Sequence, residues 1–179
     1  MSKTHYFLFA AVVVGLVIAV VLEKRPSLEK IHQKIIADYD KVAHLSGAQF
    51  ENLNRDELVV FDVREEDEYQ VSHIDGAVLV EPGISPQEFM RLHGDQLAGK
   101  TAVFYCSVGR RSSALVSQLE QAVPQLDNAY NLVGGLFQWH NEKRDLVDDY
   151  EDHTNAIHPY NRYWGQLIKD KDKIQFEAE

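Results

Sequence analysis

The sequence predicts an α/β domain built on a largely parallel sheet, and three observations carry that expectation. Short β-branched or apolar runs alternate with segments of helical periodicity from about residue 58 onward. The helical segments carry their own start and stop residues, such as Ser85-Pro86 before one and Gly99 after it. The chain of 179 residues suits one ordinary domain with appendages.

Tyr6 to Leu22 is uncharged and almost wholly apolar, and as a helix it would reach roughly 25 Å, the short edge of a bilayer span. The run ends in Val17-Ile18-Ala19-Val20-Val21-Leu22, without the small residues that a signal-peptide cleavage site needs, so residues 1–25 are expected to be an uncleaved anchor spanning at about residues 5–22. Lys3 stands alone before the span, whereas Lys24, Arg25, Lys30 and Lys34 follow it. That bias predicts a single-pass protein with its folded domain on the cytoplasmic side.

Beyond Pro26, Ser27 caps a helix whose Leu28, Ile31, Ile35 and Ile36 recur at helical spacing. Residues 26–41 are therefore expected to form a stalk that lifts the domain, residues 42–150, off the membrane. Within the domain the expected order is a strand over Leu58–Val63, a helix over Glu65–Gln70 and a strand over Ala77–Val80. A helix then starts at Ser85, with Pro86 at its first position and Glu88 completing a capping box, and runs to about Leu97. Lys100–Tyr105 reads as a strand and Arg111–Ala122 as a helix halted by Pro124. Asn128–Val133 is a last strand, which Gly134-Gly135 turns into a helix holding Phe137 and Trp139. Residues 151–179 remain as a C-terminal tail.

The formal net charge of −10, with 28 acidic against 18 basic residues, repels polyanions, and no Lys/Arg stripe is interleaved with aromatics. Nucleic acid is excluded as an expected partner. A single cysteine excludes an internal disulfide framework and argues against a structural zinc site, and no cofactor is expected.

Cys106 stands where a strand hands over to a helix, in the run Cys106-Ser107-Val108-Gly109-Arg110-Arg111-Ser112. Strand C-terminal ends are where α/β folds place reactive groups. A tight loop there turns successive backbone N–H groups inward, and the following helix adds the positive end of its dipole, so an anion on sulfur is stabilised at the centre. Arg110 or Arg111 strengthens that bias if its side chain turns toward the loop.

Three blocks around this cysteine resemble the rhodanese superfamily. They are Phe61-Asp62-Val63-Arg64 leading through Glu68-Tyr69 to His73-Ile74-Asp75-Gly76-Ala77, then Tyr105-Cys106 with Gly109, Arg111 and Ser112, then Leu132-Val133-Gly134-Gly135 with Trp139. The resemblance covers about residues 42–147. It implies a three-layer rhodanese-like domain, helices on both faces of a mostly parallel sheet, and a sulfurtransferase. Cys106 would take sulfane sulfur from a small donor, hold it as a persulfide in the loop Ser107, Val108, Gly109, Arg110, Arg111 and Ser112, and pass it to a thiol or cyanide, or to a protein acceptor. Asp62 and Arg64 would brace the loop, His73 would be a structural turn residue, and Trp139 a core residue. Thiosulfate-using members often carry basic residues where Ser107 and Val108 stand, which puts thiosulfate in doubt as the donor.

Two other readings remain open. A cysteine-dependent phosphatase or arsenate reductase needs five residues between cysteine and arginine, whereas four separate Cys106 from Arg111. A rhodanese fold used at the membrane for docking or redox sensing, without turnover, is the alternative to an enzyme. The tail run Ile157-His158-Pro159-Tyr160-Asn161 with Tyr163-Trp164-Gly165 resembles that of some single-domain rhodanese-like proteins and is expected to dock on the domain.

Overall fold

The structure is a computed structural model that describes residues 26–123, 126 and 128–178. The expected anchor lies outside the described residues. Among the described residues no helix is long and apolar enough to cross a membrane.

Five parallel strands form the central sheet: β1 (Ala43–Leu45), β2 (Leu58–Asp62), β3 (Ala77–Leu79), β4 (Thr101–Tyr105) and β5 (Ala129–Leu132). Their spatial order is β1-β5-β4-β2-β3, which puts β4, the strand leading to Cys106, in the middle. Helices α1 (Leu28–Asp38), α2 (Gly47–Glu51), α3 (Glu66–Val71), α4 (Pro86–Leu97), α5 (Arg110–Ala122) and α6 (Gly135–Asn141) connect or flank the strands. A small antiparallel pair, β6 (Leu146–Val147) and β7 (His153–Thr154), follows.

Period-two alternation along the strands divides the core into two layers. Val60, Val103 and Tyr105 face one way, onto Phe50 of α2, Leu136 and Phe137 of α6, and Ile157, Leu167 and Ile168 of the tail. Val59, Phe61, Ala102 and Phe104 face the other way, onto Phe89 of α4 and Leu115, Val116 and Leu119 of α5. The parallel α/β layering expected from the sequence is therefore present, with strand bounds within one or two residues of those read from the pattern.

Two local expectations need correction, and one holds. Ser27 caps α1 as expected, but the helix lies along the domain rather than standing clear of it: Ile35 is buried, and Leu28 and Ile31 pack against the core. At α4, Ser85 Oγ accepts from the Glu88 amide, yet the Glu88 carboxylate turns to Arg91 at 2.8 Å instead of closing the capping box. The tail docks on the domain as expected and supplies part of its core. Asn141 of α6 clasps it, donating to Leu167 O at 2.9 Å and accepting from Lys169 N at 2.7 Å.

Candidate active site

Cys106 directly follows β4, and the chain then turns through Ser107 and Val108 to Gly109, which adopts φ 93° and opens α5. A side chain is strained in that left-handed conformation, and a Cβ at 109 would lie 3.1 Å from the Asn131 amide nitrogen. The turn brings the Gly109 amide to donate to Cys106 Sγ at 3.2 Å. From behind, the first amides of α6 hold the loop carbonyls: Leu136 N donates to Cys106 O at 2.9 Å and Phe137 N to Ser107 O at 3.0 Å. Gly135 makes this approach possible, because a Cβ there would stand 2.1 Å from Cys106 O.

A cavity of about 230 Å3 opens over the loop, lined by Cys106, Ser107, Val108, Arg110, Arg111, Tyr160 and Trp164. Cys106 itself is only 1% exposed, so what reaches its sulfur comes through this cavity.

The two arginines behave differently. Arg111 turns inward and donates to both carboxylate oxygens of Glu68, at 3.0 and 2.8 Å, and to Ser107 Oγ at 3.0 Å. Burial works against its charge, but Cys106 and Glu68 beside it outweigh burial and hold its pKa above the ordinary value. Its guanidinium lies 5.2 Å from the centre of the Tyr160 ring. Arg110 lines the rim and pairs with Asp38 of α1 at 3.5 Å.

Ser112, grouped with the loop on sequence, does not reach the cavity. It is fully buried and donates from Oγ to Asn131 Oδ1 at 2.6 Å, tying α5 to β5. Asp62 and Arg64 stand one step further back than expected. Both are fully buried and paired, Arg64 Nη2 to Asp62 Oδ2 at 2.7 Å and Nε to the same carboxylate at 2.9 Å. Arg64 then donates to Glu68 O at 3.0 Å and Ser72 O at 2.6 Å, so it fixes α3 and its exit rather than the loop. Burial opposes the Arg64 charge, and Asp62 more than restores it.

The contact from α3 to the loop is Glu68, whose role the sequence did not disclose. Its carboxylate has no exposed surface and accepts from Ser107 Oγ at 2.6 Å, from Arg111, and from Glu65 N at 3.2 Å. Nothing in the run Glu65-Glu66-Asp67-Glu68 marks the last acid as the buried one. Tyr160 and Trp164 were also missed as cavity residues, although their aromatic run was noticeable. His73 and Trp139 are structural: His73 stacks on Tyr69 at 3.7 Å and exchanges backbone bonds with Val147, and Trp139 donates to Asp145 O at 2.8 Å from within the core.

A cysteine on an amide-lined loop at the end of the central parallel strand, with the α6 amides behind it, is the arrangement that the three motif blocks imply. A family model, the rhodanese-like domain, matches residues 47–142. The chain belongs to the rhodanese-like domain family. Among curated proteins, the probable adenylyltransferase/sulfurtransferase MoeZ of Mycobacterium tuberculosis is 33% identical over 84 residues, covering 46% of this chain and 20% of that protein. The tRNA uridine(34) hydroxylase of Cytophaga hutchinsonii is 30% identical over 138 residues, covering 73% of this chain and 39% of that protein. This chain thus spans well under half the length of these curated relatives. In structure, the BH2092 protein of Bacillus halodurans superposes with a TM-score of 0.51 at 17% identity, over 75% of this chain and 98% of that one. The As-Sb reductase of Leishmania major gives 0.52 at 15% identity, over 64% and 92%. These two likenesses concern the fold alone.

Proposed function

We propose that this rhodanese-like protein is a sulfurtransferase in which Cys106 carries sulfane sulfur as a persulfide between a small donor and a thiol or cyanide acceptor. The observation that carries this reading is the placement of Cys106 Sγ against the Gly109 amide on a cavity open to small molecules. A terminal persulfide sulfur extends from Sγ into that cavity, and the Gly109 amide beside Sγ favours its negative charge. No general base is required for the exchange, because a thiolate attacks sulfur directly. The curated name of the Mycobacterium tuberculosis relative includes a sulfurtransferase, which agrees with this chemistry. We further propose, from the sequence of residues 5–22 and the charges around it, that the domain is tethered at the cytoplasmic face of a membrane.

The test is mass spectrometry of protein purified without reductant and then offered sulfane donors, followed by cyanide-dependent thiocyanate formation. A gain of one sulfur atom on Cys106, discharged by cyanide and absent from Cys106→Ser, is the expected result. Wild-type activity in Cys106→Ser would end the proposal. The 1% exposure of Cys106 favours, as a second reading, a docking or redox-sensing module without turnover. That reading takes over if Cys106 gains no sulfur from any donor.

A further inference from the structure

We propose that the C-terminal tail builds the substrate side of the site: Tyr160 and Trp164 form a wall that seats a small, uncharged, apolar organic thiol or its persulfide, and so select what exchanges sulfur with Cys106. This rests on the persulfide reading and names the substrate class for it. The wall lies outside the part of the chain that matches the family model, residues 47–142.

Charge comes first. The cavity has two cations among its described lining residues, and each already has a carboxylate: Arg111 has Glu68 at 2.8 Å, and Arg110 has Asp38 at 3.5 Å. The Ser107 hydroxyl is committed to Glu68 at 2.6 Å. A dianion such as thiosulfate would lose its water without gaining an unmet cation, and that desolvation is costly. The rest of the lining is Val108, the Tyr160 ring and the Trp164 indole, surfaces that reward an apolar group.

Size agrees with this class. About 230 Å3 exceeds the ~150 Å3 that accommodates a benzene ring in an apolar protein cavity, which leaves room for one ring and a short sulfur-bearing arm reaching toward Cys106.

The wall is also built to hold its position. Tyr160 adopts φ 64°, a left-handed conformation that a bulky residue keeps only when its surroundings impose it. Its amide donates to Nδ1 of the buried His158 at 3.1 Å. Asn161 Oδ1 accepts from Tyr163 N at 3.0 Å and Trp164 N at 3.1 Å, and Gly165 N returns to Asn161 O at 2.9 Å. A Cβ at Gly165 would come within 3.1 Å of the Pro159 side chain, so the turn closes tightly. The Tyr160 ring nonetheless stays half-exposed and lies against the Arg111 guanidinium.

The exchange balances without an added oxidant. In loading, the Cys106 thiolate attacks the outer sulfur of R–S–SH, the S–S bond breaks, Cys106–S–SH forms, and R–S⁻ leaves and takes a proton from solvent. Discharge is the reverse, with R–S⁻ attacking the outer sulfur of Cys106–S–SH and Cys106 leaving as thiolate.

The experiment loads the full chain with freshly generated benzyl hydropersulfide, removes the excess, and measures single-turnover discharge to benzyl mercaptan and to cyanide, which is too small to use the wall. For Tyr160→Ala and for Trp164→Ala the ratio of the benzyl mercaptan rate to the cyanide rate should fall about tenfold, the loss of ring contact worth about 1.4 kcal/mol. Tyr160→Phe should keep the ratio near that of wild type. A ratio unmoved by both alanine variants overturns the proposal. Benzyl mercaptan binding to Cys106→Ser, followed by tryptophan fluorescence and compared with the same protein carrying Trp164→Phe, tests the subsite without any transfer. Saturable quenching lost with Trp164 supports it, and no saturable binding overturns it. If Cys106 gains no sulfur while benzyl mercaptan still binds, the persulfide reading falls and the ligand class of the cavity stands.

Discussion

Glu68 and Arg111, 43 residues apart in sequence, meet as a carboxylate accepting twice from one guanidinium nitrogen, at 3.0 and 2.8 Å. Glu68 is fully buried, and the Arg111 side chain is 26% exposed. The pair joins α3, which follows β2, to the first turn of α5, which follows Cys106. Through it the shape of the Cys106 loop depends on a segment of chain that never touches the cavity.

Glu68→Gln therefore tests how the loop is held. Gln keeps one acceptor for Ser107 or Arg111 but removes the charge that Arg111 faces. With Arg111 partly solvated, the loss should be about 1–3 kcal/mol, below the full cost of breaking a buried ion pair. In a domain of this size that lowers the melting temperature by roughly 2–10 °C. Cyanide-dependent discharge should slow severalfold in the same variant, because Arg111 is freed to move from Ser107. A melting temperature and rate both equal to wild type would remove Glu68 as the brace.

Gly135→Ala tests the close approach behind the loop. The added methyl would meet Cys106 O at 2.1 Å and Gly109 N at 2.9 Å, both backbone atoms, at a residue already at φ 56°. Relief requires giving up the bonds from Leu136 N and Phe137 N to the loop carbonyls. A loss of about 2–4 kcal/mol is expected by urea denaturation. Gly134→Ala is the comparison: its methyl would meet one atom closely, Gln138 Cβ at 2.4 Å within α6 itself, against three backbone atoms of the Cys106 loop at Gly135, and it should cost less than Gly135→Ala. Equal losses would show that strain at the start of α6, not the contact with Cys106 O, sets the cost.

Much of the layered architecture was legible because its determinants are local. The short apolar run Leu58–Asp62, with its two valines and a phenylalanine, suits a buried strand at that length, and Ser85-Pro86 sets a helix start by itself. Cys106 at a strand-to-helix handover was readable for the same reason. What stayed hidden is settled by tertiary contact. Four consecutive acids precede Tyr69, and the one that is buried depends on where Ser107 and Arg111 arrive from 39 and 43 residues away. The apolar stripe of α1 predicted a helix but not the surface it covers, and the rings of Tyr160 and Trp164 carry no sign in sequence that the tail folds back over Cys106. Ser112 was placed with the loop by spacing, and helix geometry turns its side chain to Asn131 instead.

Arg64→Lys separates bracing from chemistry. The guanidinium fork satisfies Asp62 together with two backbone carbonyls, Glu68 O and Ser72 O, and an ammonium group cannot span all three. With both ion-pair partners fully buried, a loss of about 2–4 kcal/mol is expected on thermal or urea unfolding. The discharge rate per folded molecule should stay within about twofold of wild type, a barrier change of under ~0.5 kcal/mol. A folded variant with discharge reduced a hundredfold would instead place Arg64 in the reaction.

His44 gives the fold a sensitivity to acid. Burial, reinforced by repulsion from the neighbouring His32, 5.1 Å away ring to ring, lowers its pKa from 6.5 to about 4. Geometry gives the same direction. Asn131 Oδ1 accepts from Ser112, so its amide nitrogen is the donor to His44 Nδ1 at 3.1 Å, and a proton on Nδ1 would set donor against donor. Turning the Asn131 amide to accept would break its bond with Ser112, on the same helix that Gly109 opens. Because the folded pKa lies below the unfolded one, the unfolded chain binds the proton first as pH drops. The contribution of His44 is therefore complete above pH 6.5 and is lost progressively as pH falls through about 4. Melting temperatures measured across this interval should fall more steeply for wild type than for His44→Asn, whose side-chain oxygen still accepts from Asn131 but takes up no proton. Other histidines, among them the half-buried His32 and the buried His158, also have lowered pKa values and leave a residual slope in both proteins. Parallel curves for the two proteins would show that His44 is not the group through which acid loosens the anchorage between β1, β5 and α5.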